Sequence, residues 1–376
     1  MMLIADSGLW STGPLVAPAP LVAVLEVSGA VLSWPVDEPS ALGQITFTDA
    51  ARADWLWRVV GESGHLALVA AVGGHAASEA AHIRLAEVEL LPEAVQPLRR
   101  LAIGHWLRRW WPASARDGIP GLDHALLDAE IAVLTAAAQE FFADDTLDSD
   151  VEELLRPHAA ALIAHVDQGD PRVVELVRAC AELADDVGAG GIEWRELSAA
   201  LDDPRRGGGG RGSRDEYALA AGSDAGRPAA APIAAGVSSV RWAAVPTGVF
   251  DAADGTVDWR IEVADSAPVA AVRAAVIGPG HATGLAAHLQ AGPVSAAGVL
   301  DAEGRATLPL VDAQQRPMTE AAAWNHDWST TSVTIGADVE ELPQTRARIR
   351  RLARARLEQP GPDAFLAEAL AAESSY

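Results

Sequence analysis

The sequence predicts an α+β multidomain protein: an N-terminal mixed α/β region with a helical bundle, then a C-terminal immunoglobulin-like or transthyretin-like β-sandwich ending in an Arg-rich helix. Three observations predict it. Apolar residues recur with period two in short runs before residue 95, with helical period from Pro92 to Asp203, and in closely spaced strand-like runs from Val237 onward. At roughly 100–200 residues per domain, 376 residues make two or three domains.

In chain order, LVAVLEVSGAVLSWPV reads as two apolar strands around Ser28-Gly29, and GQITFTD alternates as a third. Asp49-Ala50-Ala51-Arg52 opens a helix carrying Trp55, Trp57 and Val60. HLALVAAV and HIRLAEVELL read as further strands, separated by a GGHAASEAA loop. PEAVQPLRRLAIGHWLRRWWP then places Leu98, Leu101, Ala102, His105, Trp106 and Arg109 on neighbouring helical rows, and Pro112 ends it. LDHALLDAEIAVLTAAAQEFFADD is a second helix with Leu126, Ala129, Ile131 and Leu134 on its apolar side. Asp148 to His165, Pro171 to Asp186 and IEWRELSAALDD supply three more.

The stretch from Pro204 to Gly236 is rich in Gly, Ala and Pro and has almost no bulky apolar residue, the composition of a flexible linker. Beyond it TVDWRIEV alternates, with Val257, Trp259, Ile261 and Val263 on one face after the Asp254-Gly255 turn. VAAVRAAVIG, GLAAHLQA, VSAAGVL, RATLPLV, TEAAAW and TTSVTIG follow as strands, with Glu303-Gly304 as a hairpin turn. PQTRARIRRLARARLEQPGPDAFLAEALAAE is an Arg-dense helix, a Pro-Gly-Pro break and a short apolar helix. The expected divisions are 1–95, a helical bundle over 96–203 that stands alone or packs with 1–95 as one domain, the linker 204–236, the sandwich 237–340, and the terminal helix and tail 341–376.

All 28 basic residues are arginine. Without an ammonium that can desolvate, form a Schiff base or sit over a phosphate, the chain is not a P-loop nucleotidase, a protein kinase or a pyridoxal-phosphate enzyme. A GC-rich coding bias and avoidance of lysine-directed conjugation both account for the absence. The single cysteine, Cys180, excludes an intramolecular disulfide and a Cys-based zinc cluster, and its helical apolar setting suits a buried inert thiol. A net charge of −24 opposes nonspecific binding to nucleic acid or anionic membrane. MMLIADSGLW lacks a basic leader, and the apolar stretch from Pro14 to Pro35 is broken by Pro18, Pro20, Glu26 and Gly29. The expectation is a cytoplasmic protein that does not engage membranes.

The densest candidate for binding is the terminal helix, with Arg346, Arg348, Arg350, Arg351, Arg354 and Arg356 spread around an apolar seam of Ile349, Leu352 and Leu357. Guanidinium groups in that density suit an acidic protein surface, or the chain's own carboxylates, better than nucleic acid phosphate. Arg205, Arg206, Arg211 and Arg214 in the linker form a weaker basic tract. Trp106 and Trp110, with Trp111 and Arg108 and Arg109 beside them, combine the residue types enriched at binding hot spots, set against core packing in an Ala-rich interior. His65, His75 and His82 with Glu79, and His326-Asp327, lack a recognised ligand or catalytic spacing. Ser7 has no Gly-x-Ser-x-Gly setting.

A carboxylate site is the enzymatic alternative. MMLIADSG puts Asp6 at the end of an apolar strand and resembles the opening of PIN-type metal-dependent ribonucleases. That resemblance covers only this short piece and the acids of LDHALLDAE and DDTLDSD, and it implies Mg²⁺ or Mn²⁺ held by Asp6, Asp123 and Asp128 for phosphodiester hydrolysis. The helical reading makes Asp123, Asp128 and Glu130 the polar face of an amphipathic helix instead. The function expected is therefore a non-enzymatic interaction or scaffold protein, without cofactor, acting as an accessory subunit of a larger bacterial assembly beside a separate ATPase or effector.

Overall fold

The computed structural model describes residues 1–13, 17–39, 41–75, 81–139, 141–142, 148–189, 191–202, 231–278 and 280–374. Helices and antiparallel sheets are both present, and the chain divides into two compact units. The first comprises Met1–Arg109, Leu122–Ser213 and Ala355–Tyr376; the second comprises Trp110–Gly121 and Arg214–Arg354. Most of the expected linker, including Arg205, Arg206, Arg211 and Arg214, lies outside the described residues, and its last residues enter a strand.

In the first unit, strands β1 (Met2–Asp6), β2 (Leu9–Ser11), β3 (Val22–Val27), β4 (Ala30–Pro35), β5 (Gln44–Phe47) and β6 (His82–Arg84) form an antiparallel sheet in the order β3-β4-β5-β2-β1-β6. One face carries Leu3, Trp10, Ala23, Leu32 and Ile45 into the core. The β3–β4 hairpin turns at Ser28-Gly29, where Gly29 has φ +71° and a Cβ would stand 2.2 Å from the Asp49 carbonyl oxygen, so only glycine fits. Trp55 Nε1 donates to the Ser28 carbonyl at 2.7 Å and locks the same turn.

Helices α1 (Trp57–Gly74), α2 (Pro92–Trp110), α3 (His124–Gln139), α4 (Asp148–Leu155), α5 (Ala159–Gln168), α6 (Pro171–Asp186) and α7 (Ile192–Asp202) follow. The expected strand HLALVAAV is part of α1, beyond a kink at Gly61: Gly64, Leu68 and Ala71 are buried at helical spacing, and the Ala-rich run satisfies that period as well as period two. Of HIRLAEVELL only the first three residues are strand. The single helix expected over Asp148 to His165 is two, because Pro157 between them cannot donate to the preceding turn. Helix α3 is buried on nearly all sides. At Gly104 of α2 a Cβ would approach Ile131 and the Phe365 ring to 2.8 Å, a contact that sets how closely α2 and α3 pack. Cys180 is buried on α6, and burial pushes its thiol up to about 12.

In the second unit, β7 (Ala234–Ser238), β8 (Val257–Ala264), β9 (Ala267–Ala274), β10 (Ala286–Ala291), β11 (Val294–Val299), β12 (Arg305–Val311) and β13 (Ser332–Ile335) pair in the order β13-β10-β11-β12-β9-β8-β7. Two stacked sheets were expected; the strands instead form one antiparallel sheet curled nearly into a barrel, with its end strands β13 and β7 in contact. Val257, Trp259 and Ile261 face its core as the alternation predicts, whereas Val263, at the strand end, is exposed. TEAAAW is not a strand but the short helix α8 (Glu320–Trp324), whose N-terminus is capped by the Thr319 side chain. Helix α9 (Pro343–Glu358) begins in this unit and ends in the first, which α10 (Leu366–Ser374) completes.

Candidate functional site

The arginines of α9 meet the chain's own carboxylates. Arg346 and Arg350 are buried together with Ile349 and Ala353, so the inward side is not the Ile349, Leu352, Leu357 seam; Leu352 and Leu357 are only half-buried. Arg350 reaches Asp254 at 2.5 Å, the Ala252 carbonyl at 3.2 Å and Asp117 at 3.4 Å. Arg346 reaches the other Asp254 oxygen at 2.8 Å and the Val240 carbonyl at 3.2 Å. The Arg350 hydrogen bond and the neighbouring guanidinium charges hold Asp254 below its ordinary value against its partial burial.

Arg354 lies 3.4 Å from Asp117. In the first unit Arg356 grips the fully buried Glu368 with two hydrogen bonds, at 2.5 and 2.7 Å. Burial acts to lower the Arg356 pKa, but the Glu368 and Asp363 carboxylates outweigh it and raise it. Arg348 and Arg351 are exposed.

The other expected residues lie apart from one another in role. Trp106 is buried and donates to the Pro20 carbonyl at 2.6 Å, as a core tryptophan does; Arg109 and Trp110 are half-buried and engaged. Asp6 is exposed and accepts from Ser7. Asp123 accepts from His165 at 2.7 Å, and Asp128 binds His158 and Arg108, each at 2.9 Å. Among the described residues no three His, Cys, Asp or Glu side chains converge as a metal ion requires. Glu79 lies outside the described residues. His75 bonds the Ala71 carbonyl, and His326 the Ala291 carbonyl rather than Asp327.

A cleft that sequence reasoning did not single out lies in the first unit beside β3. Its volume is about 400 Å³, within the range of ligand pockets. Leu25, Val27, Leu101 and Phe142 give it apolar walls and His105, Thr135, Arg52 and Asp150 supply polar groups, while Glu26, whose side chain alternates to the other face of β3, borders it. The His105 ring has no hydrogen bond to a described residue, and burial together with the nearby Arg108 charge lowers its pKa, against the pull of Asp150 and Asp128. The lowering favours the neutral imidazole, which has one donor and one acceptor to offer. Thr135 spends its hydroxyl proton on the Ile131 carbonyl at 2.8 Å and keeps lone pairs.

The cleft's third wall is an open sheet edge. Residues Val27 and Ala30 close the two-residue hairpin, so Val27, Leu25 and Ala23 hydrogen-bond toward β4, and the Leu21–Val36 bond keeps that parity. The N–H and C=O groups of Val22, Val24 and Glu26 consequently point outward, and no described residue pairs with them. The strand bears none of the Lys or Pro residues that usually guard an edge, and Val24 is 51% exposed. His105 was legible only as one member of a helical row; the cleft is assembled from segments more than a hundred residues apart.

No family model, curated protein or solved structure matches this chain. No helix among the described residues is long and apolar enough to cross a membrane.

Proposed function

We propose that the protein works by binding rather than by turning over a substrate: a scaffold or accessory subunit whose partner adds an extended segment to β3. One observation carries this reading, the outward-facing backbone groups of Val22, Val24 and Glu26 on a strand whose end, from Leu25 to Val27, borders a cleft with apolar walls. Strand addition draws affinity from main-chain hydrogen bonds and specificity from pockets that take alternate side chains, and β3 with its cleft offers both. No convergence of carboxylates among the described residues favours the nuclease alternative.

Val24→Pro tests it. Proline removes the outward N–H without touching the bonds to β4, a position where an edge strand tolerates it. The purified chain is expected to take binders from a displayed pool of random linear peptides, and the Val24→Pro protein, checked for an unchanged melting curve, to lose them. Equal capture by both proteins, or none by either, overturns the reading.

A further inference from the structure

The β3 edge sorts the two faces of any strand laid against it. Leu25 and Val27 are half-buried toward the cleft, and Glu26 is exposed on the opposite face. A strand paired with β3 alternates in the same way, so its neighbouring residues fall alternately into the cleft and beside Glu26.

The inward position meets Leu25, Val27, Leu101 and Phe142, then His105 and Thr135. A purely aliphatic side chain would leave the imidazole without a partner once the added strand covers it, which is costly. A large side chain with a polar tip fills the space and satisfies the ring, as a tyrosine does. Thr135 has lone pairs to offer such a tip.

The outward positions flank Glu26, and Asp150 is a second exposed carboxylate at the cleft; Arg52 is the one cation lining it among the described residues, and it belongs to the segment under the hairpin tip. Opposite charges across a strand pair attract and like charges repel. A body of net charge −24 reinforces the preference for a basic partner segment.

Resting on the strand-addition reading, we infer that the segment taken up along β3 places a tyrosine-like anchor in the His105 cleft and a basic residue on each side of it, on the face that carries Glu26. The recognised pattern is basic–aromatic–basic in an extended chain.

The probe is a fluorescein-labelled peptide, Thr-Val-Arg-Tyr-Arg-Val-Thr, titrated against the full chain and followed by anisotropy. Replacing its tyrosine by alanine is expected to weaken binding at least about tenfold, as loss of a buried aromatic anchor does. Phenylalanine should cost about three- to tenfold, and that difference should vanish in His105→Leu. Replacing both arginines by glutamate should weaken binding about fivefold, and Glu26→Arg should reverse the order of the two peptides.

Should Val24→Pro-sensitive binders from the random pool lack the anchor and the basic flanks, or Glu26→Arg leave the order unchanged, the inference fails while strand addition stands. Absence of any Val24→Pro-sensitive binder removes both.

Discussion

The arginines of α9 and the cleft around His105 are opposites. On the helix, charge is dense but mostly spent: Arg346, Arg350, Arg354 and Arg356 each lie within ion-pair distance of an acidic side chain of the same chain. In the cleft, charge is sparse, yet an imidazole and a strand edge lack partners among the described residues. A buried group that is already paired has little left to offer a ligand, whereas an unpaired polar group beside apolar walls has its whole hydrogen-bonding capacity to give. Charge density in a sequence therefore points first to internal structure.

The largest effect that sharpens this contrast is expected from Arg356→Ala. Glu368 has 0% exposure and two of its hydrogen bonds come from that guanidinium, so removing it strands a buried carboxylate. A loss of about 3–5 kcal/mol is expected, read from urea unfolding of the full chain. A loss below about 1 kcal/mol would mean that the helix arginines are not structural, and the contrast would collapse.

His105→Leu probes the other side. The ring gives up no hydrogen bond to a described residue, and leucine is compatible with the apolar walls, so the stability change should stay under about 1 kcal/mol. A cost above about 2 kcal/mol would make His105 a structural group like Arg356.

How much of this was legible follows from what periodicity can encode. The β3–β4 hairpin and helices α2 and α9 were readable because burial along each repeats at the period of its backbone. HLALVAAV was misread because its spacing satisfies both periods, and TEAAAW because the signal that decides it is a cap at Thr319 rather than a pattern. The single curled sheet of the second unit depends on β12 returning to β9 and on β13 reaching β10, pairings that no local run specifies. Which arginines of α9 turn inward was unreadable for a similar reason: Asp254, Asp117 and Glu368 lie far from most of them in sequence. The cleft was hidden most completely, since nothing in LVAVLEV states that β3 stands at an edge.

Two histidine–aspartate pairs hold α5 against α3, and one of them gives a pH signature independent of the cleft. His165 donates to Asp123, whose hydrogen bond raises the histidine's pKa above 6.5 despite burial. Burial acts to raise the Asp123 pKa, but the His165 bond and the backbone donors hold it below 3.8. The histidine's contribution is thus complete below its unfolded value and fades as pH rises through the raised folded value. The aspartate's is complete above its unfolded value and fades as pH falls through the lowered one. Stability from this pair should be greatest between those limits and decline on the alkaline side. With Asp123 40% exposed, solvent screening keeps the change to no more than about 1 kcal/mol. His165→Gln should flatten that decline in urea titrations run across pH; an unchanged slope would assign it to other groups.

The smallest effect should come from Arg351→Ala. Arg351 sits next to Arg350 in sequence but on the exposed side of α9, so its removal should change stability by less than about 0.5 kcal/mol. Binding gives the sharper reading. If the outer side of α9 were the docking surface for an acidic partner, a polyglutamate probe would bind the native chain and bind Arg351→Ala more weakly. If instead the helix is spent on internal pairing and the cleft is where a partner enters, polyglutamate should show no saturable binding to either protein. The basic peptide should then bind both alike, because the residue that changes lies on a face that takes no part in its capture.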